Sequence, residues 1–180
     1  EQGKSESRSL IESWHGKGRN RYVITPRFAI SCSTEQLIAA GRLHEQYPGT
    51  YIQTHLSENK DEIDSTLSLC PDCQDYLEVY ERARLVTDRS IFGHCIHLSD
   101  SECRRLVEAG SVVAHCPTSN LFLVSGLFDM QQANRVGMQT VLATDIGAGT
   151  SFSMLRTMGE AYKVQQLGGY PMSVFESLYK

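Results

Sequence analysis

The sequence predicts an α/β fold built on a parallel sheet. Five short apolar runs alternate with helical patterns, at spacings of roughly 20 to 40 residues and with no hairpin signal between them. This order is the repeated strand–helix unit of a parallel barrel or of a doubly wound sheet. A length of 180 residues, 41% of them hydrophobic, is sufficient for a core of this kind.

Each predicted strand is an apolar, largely β-branched run that leads into a polar residue. The predicted strands are 21–24, 51–54, 90–93, 111–114 and 139–143. Pro26 ends the first strand, because proline cannot donate to a central ladder. The second strand closes at Thr54-His55 and leads through polar residues into a helix. In an α/β barrel such a corner, at the carboxyl end of a strand, is where the chemistry is placed.

The helices are predicted from their apolar spacing and their caps. They are expected at 1–16, 35–46, 60–69, 75–84, 99–110, 127–136 and 153–166, and a last periodic segment covers 174–179. Ser33-Thr34 offers an N-cap, and Ser99 with Glu102 forms a capping box. Residues 118–126 are expected to form a loop containing Gly, Ser and Asn.

A residue of a type used in catalysis lies at the end of every predicted strand. These residues are Arg27, His55, His94, His115 and Asp145. If the sheet is parallel, these five strand ends lie at the same edge and their side chains converge. Histidine nitrogen and carboxylate oxygen are zinc ligands. Taken alone, His55-x-x-Glu58 also fits a solvated helix start, and Arg27-Phe28 also fits a surface arginine beside a core phenylalanine. The five tips together predict a metal site.

Bulk properties exclude several other classes of protein. A net charge of −4 argues against a nucleic-acid partner, and no apolar run approaches the ~18 residues of a membrane span. From its first residues, no signal peptide is expected. Six scattered cysteines favour a reducing cytoplasm, so Cys70-x-x-Cys73, which has no second pair, is expected to be a loop with two free thiols rather than a zinc knuckle.

Four stretches carry a resemblance to a known family: Thr25-Pro26-Arg27-Phe28, 54–59, 115–121 and 144–149. On these, the chain resembles the aminohydrolase branch of the amidohydrolase superfamily, and within it the guanine deaminases, over nearly its whole length. Arg27-Phe28 and segment 120–129 carry the narrower resemblance. The family fold is a distorted (β/α)₈ barrel with a flanking β-sandwich, so residues 1–180 are expected to be a partial barrel holding strands four to eight.

One feature of the family is missing from the sequence. The first barrel strand of the family carries a His-x-His pair that supplies two zinc ligands, and no such pair occurs here; His94 and His97 are separated by two residues. The first barrel strands and the β-sandwich are also expected to be absent. The chain is therefore expected to be part of a longer enzyme. Alone, it is expected to be inactive, because two zinc ligands are absent, and prone to aggregation, because an open barrel exposes two sheet edges.

The resemblance implies roles for four residues of the site. His55 and Asp145 would bind one Zn²⁺ per subunit (Fe²⁺ is the other possible ion), and His94 would ligate the metal or orient the water. Asp145 would act as the general base, and Glu58 would carry a proton to the purine ring and to the departing amine.

The resemblance also implies a substrate and its contacts. Guanine would be converted to xanthine and ammonia, with substrate contacts from Arg27, Phe28, His55, Glu58 and Asp145. Arg27 would bind the carbonyl oxygen and Phe28 would pack on the ring, while His115 and Asn120 would lie in a second shell or be purely structural. A cytoplasmic homodimer is expected.

Two alternatives of other kinds remain open. One is an aminohydrolase or chlorohydrolase for a triazine, a modified purine or a pyrimidine, which would not be expected to carry Arg27-Phe28. The other is a non-catalytic remnant that has lost its metal, which the missing His-x-His pair would favour.

Overall fold

A five-stranded parallel sheet organises the computed structural model, which describes residues 2–180. The strands are β1 (Val23–Ile24), β2 (Tyr51–Leu56), β3 (Ser90–His94), β4 (Val112–His115) and β5 (Gln139–Leu142). Their order in the sheet is the order in the chain, and all four pairings are parallel. A doubly wound sheet reverses its strand order at a switch point. The sequential order is therefore that of a barrel wall, with β1 and β5 at its edges.

Helices follow the strands as the sequence predicted, and several begin at predicted caps. They are α1 (Gln2–Trp14), α2 (Thr34–Gln46), α3 (Lys60–Leu69), α4 (Tyr76–Arg82), α5 (Asp100–Glu108), α6 (Pro117–Phe122), α7 (Met130–Val136), α8 (Met154–Leu167) and α9 (Val174–Leu178), with a 3₁₀ turn at Ala29–Ser31. Ser33, Asn59 and Ser99 each close a capping box. In each capping box, side chains accept hydrogen bonds from two backbone N–H groups that the first turn of a helix otherwise leaves unpaired.

The main core lies between the sheet and its helices. Ile52, Phe92 and Val113 of three adjacent strands are fully buried, together with Tyr76 and Tyr80 of α4. Burying an aliphatic or phenylalanine side chain contributes about 1.5–3 kcal/mol. The two tyrosines also bring hydroxyl groups into the core, and these groups bind the segments that carry the site.

Two predicted elements were wrong in the stretch after β4. Residues 118–122, expected within a loop, belong to α6, because Pro117 occupies the first helical turn, where its missing N–H costs nothing. The next helix begins at Met130 rather than Leu127, since Asp129 accepts a hydrogen bond from the backbone of Gln132 and is its N-cap.

The expectation of two free thiols at Cys70 and Cys73 was also wrong. Cys70 is the C-cap of α3, and the turn after it brings the two Cα atoms to 5.4 Å, where the cysteines form a disulfide. This separation lies in the usual range for a disulfide. Cys32, Cys95, Cys103 and Cys116 are free.

Within residues 2–180, no helix combines the length and the apolar character needed to cross a membrane.

Candidate active site

Three potential metal ligands meet at the carboxyl end of the sheet. His55 lies in β2, His94 is the last residue of β3, and Asp145 follows β5. One ligand atom from each lies within 4.8 Å of the other two, and this is the only such group of three found in the described part of the chain. The register explains the proximity, because Gly93 pairs with His55 and the parallel strands end together.

Hydrogen bonds fix which nitrogen of each histidine faces the site. Nδ1 of His55 is 2.6 Å from the carbonyl oxygen of Arg27, and Nδ1 of His94 is 2.9 Å from Oδ1 of Asn120. Because both oxygens can only accept, each Nδ1 carries a proton, and in the neutral ring Nε2 then keeps a free lone pair. A neutral imidazole held in this way is the usual form of a histidine metal ligand. The donor set therefore fits zinc.

Strained backbone supports two of the three ligands. His94 has a φ of 67° and Asp145 a φ of 47°, both in the left-handed region that favours glycine. Conformations of this kind cost about 1–3 kcal/mol each and cluster at functional sites. The strained turn at Asp145 is closed by the N–H of Gly149, which donates to the Asp145 carbonyl oxygen at 2.5 Å.

His94 lies between two carboxylates. Its Nε2 is 3.7 Å from Oε2 of Glu58 and 3.9 Å from Oδ2 of Asp145. The His94 side chain is almost completely buried, and its ring stacks on that of His55 with centroids 5.1 Å apart. An imidazole beside two carboxylates and a metal-binding group can move protons at a reacting centre.

Arg27 and Phe28 lie beside His55. The Phe28 ring centroid is 5.7 Å from that of His55, and the Arg27 guanidinium carbon is 5.3 Å from the Phe28 ring. Arg27 is exposed and Phe28 is half-buried. The pair therefore presents a cation and an aromatic face next to a proposed metal ligand.

A cavity of about 380 Å³ lies in front of the three potential metal ligands. It is lined by residues from β2, β3, β4 and β5 and includes His55, His94 and Asp145. Its volume lies within the ~300–1,000 Å³ range of small-molecule sites.

His115 departs from the expected convergence of the five strand tips. Successive side chains of a strand point to opposite faces, so Ala114 and Cys116 lie in the cavity wall and His115 points away from it. His115 is fully buried against Phe128, with the ring centroids 4.7 Å apart. Neither ring nitrogen has a hydrogen-bond partner within residues 2–180. Burial, and secondarily the charge of His94, lowers the pKa of His115 to about 3. The ring is therefore neutral at pH 7.

Sequence reasoning missed two residues that hold the site together. The Tyr80 hydroxyl donates to the His55 carbonyl oxygen at 2.8 Å and accepts from the N–H of Ala29 at 3.0 Å. Burial raises the pKa of this hydroxyl, which stays protonated. The Ser125 hydroxyl donates to Oε1 of Glu58 at 3.1 Å. Ser125 lies in segment 120–129 and Tyr80 in no motif, and neither contact could be found from the sequence, because each partner lies far away along the chain.

Comparisons with known proteins identify the family to which the chain belongs. The model of the amidohydrolase family matches residues 1–178. The guanine deaminase of Escherichia coli (strain K12) is 51% identical over 174 residues, which are 97% of this chain and 40% of the relative. The solved structure of the E. coli guanine deaminase matches with a TM-score of 0.97 and 50% identity, covering 99% of this chain and 41% of the other.

A second relative is similar in fold and carries a ligand. The crystal structure of guanine deaminase from C. acetobutylicum, with guanine bound in its active site, matches with a TM-score of 0.93 and 32% identity. The match covers 99% of this chain and 44% of that one. The chain thus spans about two-fifths of the length of the relatives it matches.

Proposed function

Since this chain belongs to the amidohydrolase family, we propose that it carries active-site residues of a zinc-dependent enzyme that hydrolyses guanine to xanthine and ammonia. The observation that carries the proposal is the meeting of His55, His94 and Asp145 beside Glu58. Similarity to guanine deaminases, one of them with guanine bound, supports the choice of substrate.

Zinc would be held by Nε2 of His55 and a carboxylate oxygen of Asp145, with His94 next to them. A bound zinc ion supplies Lewis-acid chemistry and lowers the pKa of a water molecule to roughly 7. In the related family, a His-x-His pair outside this sequence provides further ligands, and the five strands here would be the fourth to eighth of a barrel. The sequential parallel order of the strands supports that assignment.

Proton transfer in the proposed reaction is divided between two carboxylates. Asp145 takes a proton from the attacking water as that water adds to the ring carbon bearing the amine. Glu58 enters the reaction protonated and gives its proton to the ring nitrogen. It then takes up the proton of the added hydroxyl group as the new carbonyl forms and passes it to the departing amine, which leaves as ammonia. The proton held by Asp145 restores Glu58 for the next cycle. Nε2 of His94 lies within 4 Å of both carboxylates, accepts a hydrogen bond from the attacking water and thereby orients it.

Substrate orientation would come from Arg27 and Phe28. The guanidinium donates to the carbonyl oxygen of guanine, and the phenyl ring packs on the purine face. Both residues lie in the segment whose backbone carbonyl binds His55. Recognition of the ring and placement of the metal ligand therefore depend on the same loop.

The proposed enzyme acts on a free purine in the cytoplasm, without nucleic acid or membrane. The net charge of −4 supports the absence of a nucleic-acid partner. Assembly as a homodimer rests on the family resemblance alone.

Metal analysis and an ammonia assay test the proposal on the protein at its natural length. We expect about one equivalent of zinc (or iron) per chain, release of ammonia from guanine at near-neutral pH, and loss of activity on chelation that added zinc reverses. Active protein holding less than about a tenth of an equivalent would contradict the metal assignment. Turnover of a triazine or pyrimidine, but not of guanine, would identify another heterocycle as the substrate.

A further inference from the structure

We propose that Ser125 is a positioning residue that aims the carboxyl group of Glu58, and that His97 holds Ser125 in place. The inference rests on the proposed role of Glu58 as the proton carrier. It assigns a function to the turn between α6 and α7, which the mechanism above leaves unused.

The contact between the two residues orients the carboxyl group in one direction. The Ser125 hydroxyl donates to Oε1 of Glu58 at 3.1 Å, and Oε2 is 3.7 Å from Nε2 of His94. Ser125 is buried, and the side chain of Glu58 is only 15% exposed. One carboxylate oxygen is thus held by the protein and the other faces the reacting centre.

Ser125 is itself held from two sides. Its N–H donates to the Asn120 carbonyl oxygen at 2.9 Å, and its own carbonyl oxygen lies 2.9 Å from Nε2 of His97. Because a carbonyl oxygen can only accept, His97 donates from Nε2. Asn120 also accepts from Nδ1 of His94, so a single segment orients two neighbouring groups of the site.

The backbone around Ser125 is an independent sign of function. Val124 has a φ of 57°, although a β-branched residue is a marked outlier there, and its side chain is 88% exposed, so burial does not compensate. Gly126 has a φ of 132°, and a Cβ there would lie 3.0 Å from Ile96 Cγ2. Strain without a packing benefit is typical of segments that present a functional side chain.

Removal of the Ser125 hydroxyl is expected to affect turnover much more than binding of guanine. A proton carrier works only within ~2.6–3.2 Å of its target, and a shift of ~1 Å costs ~10²-fold. Ser125→Ala should therefore lower kcat for guanine by ~10–100-fold, with zinc content unchanged and KM changed much less than kcat, because Arg27, Phe28 and the metal ligands are untouched. Ser125→Thr keeps the hydroxyl and should recover most of the rate.

Ser119→Ala is the matched control. Ser119 lies in α6 and is fully buried, and its hydroxyl has no hydrogen-bond partner among the residues that the structure describes. This variant should keep the wild-type kcat. His97→Gln should lower kcat by less than Ser125→Ala does, because it loosens the loop without removing the hydroxyl.

A double-mutant comparison separates positioning from a general structural effect. If Ser125 acts through Glu58, then adding Ser125→Ala to Glu58→Gln should cost nothing further in kcat. Three results would overturn the proposal. Ser125→Ala could lower kcat equally in wild type and in Glu58→Gln, Ser125→Thr could lower kcat as much as Ser125→Ala does, or Ser125→Ala could keep the wild-type kcat. These variants are assayed in the protein at its natural length.

Crystal structures of wild type and Ser125→Ala test the contact without turnover. We expect the Glu58 carboxyl group to leave its position near His94 in the variant, and an unmoved carboxyl would reject the inference. Failure of the wild type to deaminate guanine would instead reject the proposed function, and the structural comparison would still decide the role of Ser125.

Discussion

At the scale of single residues, hydrogen bonds hold several side chains of the site in one orientation. His94 shows this best, since Asn120 holds its Nδ1, His55 covers its ring, and Nε2 is directed at Glu58 and Asp145. A group that is oriented before the substrate arrives loses little freedom during the reaction. The residues of this site can therefore be tested one at a time.

Replacement of Glu58 by Gln keeps the shape of the side chain and removes its ability to carry a proton. We expect kcat for guanine to fall by ~10²–10⁴-fold. Zinc content should stay at the wild-type level, because His55 and Asp145 are unchanged. Steady-state kinetics and metal analysis provide the measurement, with Glu108→Gln on the exposed end of α5 as the control. A near wild-type kcat in Glu58→Gln would rule out the proton-carrier role.

Arg27 should determine the choice between purines. Guanine has a carbonyl oxygen where adenine has none, and a site built around that hydrogen bond discriminates by ~10⁴–10⁵-fold. Arg27→Ala should raise KM for guanine sharply and reduce the guanine-to-adenine ratio of kcat/KM, with zinc retained. Phe28→Ala should cost less, about 1–3 kcal/mol, since stacking tolerates many rings.

The control for Arg27 is Arg21→Ala, which removes an exposed arginine whose hydrogen bonds go to the backbone of its own loop. It should leave both substrates unaffected. An unchanged guanine-to-adenine ratio of kcat/KM in Arg27→Ala would show that another group distinguishes the two purines.

At the scale of elements, short polar contacts connect the loops that carry the site. The Arg27 carbonyl oxygen accepts from the N–H and the ring of His55, and the Tyr80 hydroxyl joins Ala29 to His55 from the opposite side. The segment after β1 and the end of β2 therefore form one unit. The turn after β5 is held differently, because the backbone of Gly149 packs closely against the carbonyl oxygen of Thr144.

Gly149 makes that approach possible. A Cβ at this position would lie 1.7 Å from the carbonyl oxygen of Thr144, so Gly149→Ala must displace the turn that carries Asp145. We expect zinc affinity to fall by ~10–100-fold, as happens when the support of a metal ligand is lost. Competition with a chelator measures this affinity.

Gly159→Ala is the control for Gly149→Ala. Gly159 lies within α8, nothing lies within 4 Å of its added Cβ, and alanine there should stabilise the helix by about 1 kcal/mol. Equal zinc affinity in the two variants would show that the Asp145 turn does not depend on Gly149.

At the scale of the whole molecule, burial of His115 should make stability depend on pH. Its pKa is lowered to about 3 in the folded protein, against an ordinary value of about 6.5 in the unfolded chain. Between these values the unfolded chain binds a proton that the folded protein does not, so stability is present above pH ~6.5 and is lost as the pH falls towards ~3. The loss is on the order of a few kcal/mol.

Thermal unfolding between pH 7 and pH 4 tests this dependence by comparing wild type with His115→Leu. Leucine keeps an apolar contact with Phe128 and cannot bind a proton, so the variant should lose less stability than wild type over that interval. Parallel curves for the two proteins would show that His115 does not control the acid response.

The sequence by itself determined the order of the strands and predicted that three potential metal ligands lie together. Strand runs and capping boxes are local patterns, so β2, β3 and the box at Ser99 could be predicted closely. His55, His94 and Asp145 could be placed together because the tips of parallel strands converge. These predictions needed only residues a few positions apart and one rule of topology.

Only the tertiary structure decided where individual side chains point and what holds them. A shift of one position along a strand reverses the face, which is why His115 packs on Phe128 rather than in the cavity. Ser125 reaches Glu58 across 67 positions of sequence, and no local pattern encodes such a contact. The Cys70–Cys73 disulfide likewise depends on the turn that follows α3, since a pair of cysteines bonds only where the backbone brings their Cα atoms into range.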